Sequence, residues 1–171
     1  MKQTLAYILL AVALLTAACS KDKDMTKPSI SGVGIAANPV NCQQYHPGDT
    51  IPFSYLFEDD TELGNYAIEV HGNFDHHSHS TESNDHDHEK GECADGHDHE
   101  HEEEEEGEEE EGVAWVFNQS YSIPSGLTHY HARQDITIPK NTKHGDYHFM
   151  VRLTDVAGWT QLKAVAIVIE E

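Results

Sequence analysis

The chain has 171 residues and a formal net charge of −21 at pH 7, from 31 acidic residues against 10 basic ones. An excess of negative charge repels phosphate backbones, so a nucleic-acid partner is not expected. The N-terminal apolar run, residues 5–15, is shorter than the roughly 20 residues that a membrane-spanning helix needs, so membrane insertion by a helix is not expected either.

Residues 1–18 have the layout of a secretory signal peptide, with Lys2 before the apolar run and the small residues Ala17 and Ala18 at its end. Cys19 follows at once and resembles the lipidated cysteine of a bacterial lipobox. An ordinary signal peptide followed by a coincidental cysteine is the alternative. Residues 19–26 then form a polar tether. We predict a cell-envelope protein, lipid-anchored to the outer membrane through Cys19, with the cell surface as one destination.

Residues 75–112 differ from the rest of the chain. They hold eight of the fourteen histidines and eighteen of the 31 acids, with Lys90 as their one cation. Only the small Cys93 and Ala94 are available for a core, so the segment cannot bury enough apolar surface to offset its ordering entropy, and we predict disorder.

The composition of this segment indicates metal binding. Imidazole nitrogens bind zinc and other divalent transition metals, and carboxylates add oxygen ligands and a negative field. The predicted ligands are His76, His77, His79, His86, His88, His97, His99 and His101. The alternative is a solvated acidic spacer, because runs of acids such as residues 102–106 often serve no other purpose.

Outside this segment, the pattern of apolar residues predicts β-strands. Apolar residues alternate with a period of two in seven stretches: 29–35, 51–57, 66–71, 113–121, 128–138, 147–153 and 159–169. Residues 27–171 are therefore predicted to form an all-β domain, an immunoglobulin-like β-sandwich of about seven strands interrupted by residues 75–112. Tyr147 is either the tyrosine corner of such a sandwich or an ordinary core aromatic.

Two cysteines remain after the anchor, Cys42 in the body and Cys93 in the segment. Outside the cytoplasm a disulfide between them is one prediction. Two thiols acting as soft metal ligands, or two unpaired cysteines, are the alternatives.

A second set of histidines lies in the predicted strands. His129 and His131 are two residues apart and so share a face of one strand. His148 and His71 alternate with apolar neighbours and should also face outward. The four could converge on one metal, because zinc accepts three or four imidazole nitrogens. The alternative is four ordinary surface histidines.

Several short motifs carry a family resemblance: KPSI at 27–30, WVFNQSY at 115–121, HYH at 129–131, DITIP at 135–139 and GDYHF at 145–149. On these residues the chain resembles an uncharacterised family of Bacteroidota lipoprotein domains, described only as a domain of unknown function. The resemblance implies an immunoglobulin-like fold, an envelope location and a His-rich insertion at this place. It implies no activity.

No phosphate loop, nucleophile elbow or zinc-protease helix motif occurs, so an enzyme is not expected. We predict a lipoprotein that captures, buffers or delivers a divalent metal, zinc first. Its membrane contact would be through the lipid alone, and an outer-membrane transporter is the candidate protein partner. The alternative is an adhesive or accessory module that binds a protein or glycan and uses the segment as a spacer.

Overall fold

The computed structural model describes residues 23–74, 93 and 112–171, and this part of the chain is all β. Its strands are β1 (Ser29–Ser31), β2 (Gln43–Tyr45), β3 (Thr50–Glu58), β4 (Leu63–Gly72), β5 (Phe117–Ser122), β6 (His129–Thr137), β7 (Gly145–Asp155) and β8 (Thr160–Ile169). Within these described ranges no helix is long and apolar enough to cross a membrane. The predicted signal peptide and Cys19 lie outside the described residues.

The strands form two sheets, which confirms the predicted β-sandwich. One sheet has three strands in the order β1-β3-β6, and the other has five in the order β2-β8-β7-β4-β5. The five-stranded sheet is antiparallel except where β2 runs parallel to β8. The apolar faces of the two sheets pack together, so their outer faces point in opposite directions.

The alternation read from the sequence accounts for the core. On β3 the inward residues Ile51, Phe53 and Phe57 are buried while their neighbours are more exposed. Tyr66 of β4 is fully buried between the sheets, with its ring 5.1 Å from Phe57 and 6.2 Å from Phe53, centroid to centroid. These contacts join the two layers.

β7 departs from simple alternation, because residues 147–151 are all buried. Tyr147 and Phe149 point into the core. His148 and Met150 have the opposite parity and belong to the outer side of the sheet, yet they too are covered. The prediction that His148 faces outward therefore has the correct parity, although the side chain is only 3% exposed.

The strands depart from the prediction at several places, of which three have a clear local reason. β2 was not predicted, because Gln43 and Gln44 show no apolar alternation and turns flank the strand. β1 ends at Ser31, where a turn begins and the Ile35 amide bonds the Gly32 carbonyl. β5 begins only at Phe117, since Val113 forms an isolated bridge with Thr142 instead of joining the sheet.

Tyr147 is a tyrosine corner. Its hydroxyl donates a hydrogen bond to the Lys143 carbonyl oxygen at 2.7 Å and accepts one from the Trp115 backbone N–H at 3.3 Å. Burial raises the pKa of this phenol above its ordinary value of 10.0, so the donating form is maintained. The hydroxyl thus connects the start of β7 to the chain that leads into β5.

Tyr147→Phe should lower the free energy of unfolding by about 1–3 kcal/mol, because it leaves a buried N–H and a carbonyl unpaired. Urea denaturation measures the change. The matched control is Tyr121→Phe, which removes a half-buried hydroxyl from β5 and should cost under about 0.5 kcal/mol. Equal losses in the two variants would contradict a structural role for the corner.

Candidate metal centres

The four body histidines form two pairs on opposite sides of the sandwich. His129 and His131 lie on β6 in the three-stranded sheet, whereas His71 and His148 lie on β4 and β7 in the five-stranded sheet. All four have outward parity, and the two outer faces point away from each other. The predicted single centre built from all four is therefore wrong, because parity along a strand does not say which sheet the strand joins.

The β6 pair is poorly suited to a metal ion. His129 is exposed, and its Nε2 lies 3.8 Å from Glu58 Oε1. The ring of His131 already has contacts at both nitrogens: Nε2 lies 2.9 Å from Ser54 Oγ, and Nδ1 lies 3.1 Å from Arg133 Nη2. A guanidinium beside the imidazole repels a second cation, so His131 is better explained as a surface hydrogen-bonding residue.

The other pair is closer to a ligand arrangement. His71 and His148 stand directly opposite each other in the β4–β7 register, with ring centroids 5.5 Å apart. Two imidazoles on one zinc ion, with Zn–N bonds of about 2.0–2.1 Å and a tetrahedral angle, would have centroids about 5 Å apart. The pair therefore has the spacing of two ligands on one ion.

The core holds these two histidines in register. Val70 and Phe149 flank them as opposed residues on the same two strands, and both are almost fully buried. Because successive side chains alternate across a strand, burying Val70 and Phe149 turns His71 and His148 to the other side of the sheet. The packing of the core thus fixes which imidazoles meet.

Cys42 and Cys93 form a disulfide with their Cα atoms 5.3 Å apart. The Cys42 backbone N–H donates to the Ala166 carbonyl oxygen at 2.8 Å, and Ala166 is the register partner of His148 on β7. Adjacent strands are about 4.8 Å apart, so Cys42 lies about 10 Å from the His148 backbone. The middle of the segment 75–112 is therefore attached to the sheet that carries the histidine pair.

The chain on either side of the segment is attached near the same strand. The Asn73 amide donates to the Asp146 carbonyl at 2.8 Å. Val113 donates to the Asn141 carbonyl at 2.7 Å and accepts from the Lys143 amide at 2.9 Å. Asp146 belongs to β7, and residues 141–143 belong to the loop that enters β7, so Cys93 and both flanks of the segment are attached either to the sheet that carries the histidine pair or to the loop before its strand β7.

The eight predicted ligands of the segment lie outside the described residues. They are His76, His77, His79, His86, His88, His97, His99 and His101. The prediction that they bind metal stays a prediction.

Sequence reasoning missed another cluster. Across residues 23–74, 93 and 112–171, one group of three possible metal-ligating side chains occurs, and it contains Asp24, Asp59 and Asp60 with ligand oxygens all within 4.8 Å of one another. Asp59 and Asp60 begin the β3–β4 loop, and Asp24 precedes β1. The pair of adjacent aspartates was visible in the sequence, but the approach of Asp24 depends on how the N-terminal segment crosses that loop.

The chain matches a known protein-family model. The family model described as Domain of unknown function (DUF4625) covers residues 16–170, which is nearly the whole chain. No curated protein and no solved structure matches the chain.

Replacing both disulfide cysteines, Cys42→Ser with Cys93→Ser, should lower the free energy of unfolding by about 2–4 kcal/mol, because a crosslink spanning 51 residues restricts the unfolded chain. Urea denaturation with and without reductant measures this. Reductant should lower the midpoint of the parent to that of the double variant and leave the variant unchanged. A parent insensitive to full reduction would contradict a stabilising role.

Proposed function

We propose that this chain, which belongs to the DUF4625 family of domains of unknown function, is a cell-envelope lipoprotein that binds divalent metal ions, zinc above all. The ligands are the histidines of residues 75–112 together with His71 and His148. One observation carries the proposal: Cys93 and both flanks of that segment are attached to the sheet that bears the histidine pair or to the loop that enters its strand β7.

The pair and the segment have complementary roles. His71 and His148 supply two imidazoles in fixed register. Less conformational entropy is therefore lost when ligands are ordered around the first ion. Zinc takes four ligands, so two more must come from elsewhere. Attachment at Cys93 keeps the segment's histidines at a high effective concentration beside the pair. The remaining segment histidines hold further ions more weakly, because each ion must order its own ligands.

The charge of the segment assists this function. Its eighteen acids and single lysine create a local negative potential that concentrates cations. Metal binding to imidazole displaces protons, so uptake weakens as the pH falls through the histidine range, near about 6.5 for an unperturbed ring. A protein with these properties captures or buffers metal and passes it to a partner, for which an outer-membrane transporter is the candidate.

The proposed compartment follows from the N-terminus and the cysteines. A signal peptide ending before Cys19 would export the chain and attach lipid to that residue. The Cys42–Cys93 disulfide supports an oxidising location outside the cytoplasm. The protein would then contact the outer membrane through its lipid alone, either inside the envelope or at the cell surface.

Zinc calorimetry on the mature protein tests the metal function. Changing the eight segment histidines to serine keeps the acids and Cys93 and should remove most of the stoichiometry. Changing His71→Gln with His148→Gln should weaken the tightest site at least tenfold, because that site loses both fixed imidazoles. The matched control, His129→Gln with His131→Gln, should leave that site unchanged.

Zinc binding equal in the parent and the segment variant would contradict the proposal. It would instead favour an adhesive or accessory module whose acidic segment is a spacer.

Cys19→Ser should release the protein from the membrane fraction, because no thiol remains for lipid attachment. Fractionation of expressing cells followed by immunoblotting measures this, with Cys42→Ser as the control that should remain with the membrane. Unchanged membrane retention of the Cys19 variant would contradict the lipoprotein assignment.

A further inference from the structure

We propose that Asp24, Asp59 and Asp60 form a separate site for a hard divalent cation, calcium. It lies where the N-terminal segment crosses the β3–β4 loop. The site takes no histidine and does not depend on the zinc function proposed above.

The spacing of the carboxylates fits one ion. Their ligand oxygens all lie within 4.8 Å of one another. Calcium binds oxygen at about 2.3–2.6 Å, so two ligands on the same ion can be up to about 5 Å apart. A ligand set made only of oxygen suits calcium rather than zinc. Ligands from two separated parts of the chain also suit calcium better than magnesium, which demands near-ideal octahedral geometry.

Buried oxygens without hydrogen bonds provide the second observation. Asp59 is only 8% exposed, and its Oδ2 accepts hydrogen bonds from the N–H groups of Thr61 and Glu62 at 2.9 and 2.8 Å. Its Oδ1 is buried and accepts none from the described residues. Asp24 repeats the pattern: Oδ1 accepts the Thr26 N–H at 2.9 Å, and Oδ2 is buried without a partner among those residues.

This arrangement is costly without a cation. A buried carboxylate oxygen that accepts no hydrogen bond loses its hydration and gains nothing in return. Three carboxylates gathered in so small a space also repel one another. One bound cation would ligate the unpaired oxygens and remove the repulsion.

Hydrogen bonds hold the site in shape before any ion binds. The Thr26 hydroxyl donates to Asp60 Oδ2 at 2.9 Å, and the Trp159 indole N–H donates to the Asp24 carbonyl oxygen at 3.0 Å. The Trp159 backbone N–H donates to Asp155 Oδ1 at 2.9 Å. Asp155 is 4% exposed, and its Oδ2 is also buried without a partner within the described residues, so the negative field extends into the β7–β8 turn.

The position of Asp24 suggests what the ion does. Asp24 is five residues after Cys19, whereas Asp59 and Asp60 belong to the folded body. An ion shared among them clamps the N-terminal segment to the sandwich. Calcium would therefore restrict the orientation of the domain relative to the chain that precedes it. Since few protein oxygens are supplied, the dissociation constant should resemble that of weak extracellular sites, about 0.1–1 mM.

The test uses the two indole N–H signals of the ¹⁵N-labelled mature protein, followed during a calcium chloride titration. The Trp159 signal reports on the site, because the Trp159 indole N–H donates a hydrogen bond to the Asp24 carbonyl oxygen. Trp115 is the internal control, since it contacts Tyr147 near the other end of β7, about 25 Å away. We expect a saturable shift of the Trp159 signal with a midpoint of about 0.1–1 mM and no shift of the Trp115 signal.

Asp59→Asn should raise the midpoint of the calcium titration at least tenfold. Asp60→Asn should raise it equally, and because Asp60 is exposed this substitution does not disturb the core. The matched control is Asp135→Asn, an exposed aspartate on β6, which should titrate like the parent. The segment variant that lacks eight histidines should also titrate like the parent, so this test and the zinc test fail independently.

Either of two results would overturn the site: no saturable Trp159 shift up to 10-fold above the expected midpoint, or a midpoint that is the same in Asp60→Asn as in the parent. An equal midpoint with magnesium would overturn the assignment to calcium.

Discussion

The antiparallel pairing of β4 with β7 is the interaction on which the rest of the structure depends. It runs from Leu63 opposite Asp155 to Gly72 opposite Tyr147. The inward residues of both strands build the core against β3. The outward residues include the His71–His148 pair, and the two ends of β7 carry the tyrosine corner and Asp155. A shift of one residue in this register would turn the histidines inward and the core residues outward, so the geometry of the candidate zinc ligands is inseparable from the stability of the domain.

The two proposed sites lie at opposite ends of β7 and use different chemistry. Near the start of β7 there are imidazoles, the disulfide and the attachments of the acidic segment, which together suit a borderline-soft transition metal. Near its end there are carboxylates with unpaired oxygens, which suit a hard cation. This separation means that the two proposed ions would not compete for the same ligands. The proposed zinc site would then act on the long segment, and the proposed calcium site on the N-terminal tether.

The fold was largely predictable from the sequence, because alternation of apolar residues is a local signal that survives in each strand longer than three residues. The sequence did not predict β2, because Gln43 and Gln44 show no apolar alternation and pair only with a strand far along the chain. The candidate sites were less predictable than the fold, because they too depend on contacts between residues that are far apart in the chain. Parity placed His71 and His148 on an outer face, but only the pairing of β4 with β7 makes them neighbours. The cluster at Asp59 required Asp24, which lies 35 residues earlier in the chain and approaches it only in the folded structure.

The distribution of charge explains why the domain tolerates so acidic a segment. Outside residues 75–112 there are thirteen acids against nine basic residues, so the sandwich itself is close to neutral. Repulsion among the acids is confined to a connection between β4 and β5, where added length costs little closure entropy. The core therefore does not depend on the segment's composition. What the sandwich supplies to it is attachment, through Cys93 and the chain on either side, and under the proposed function this attachment is what would bring the segment's histidines to the His71–His148 pair.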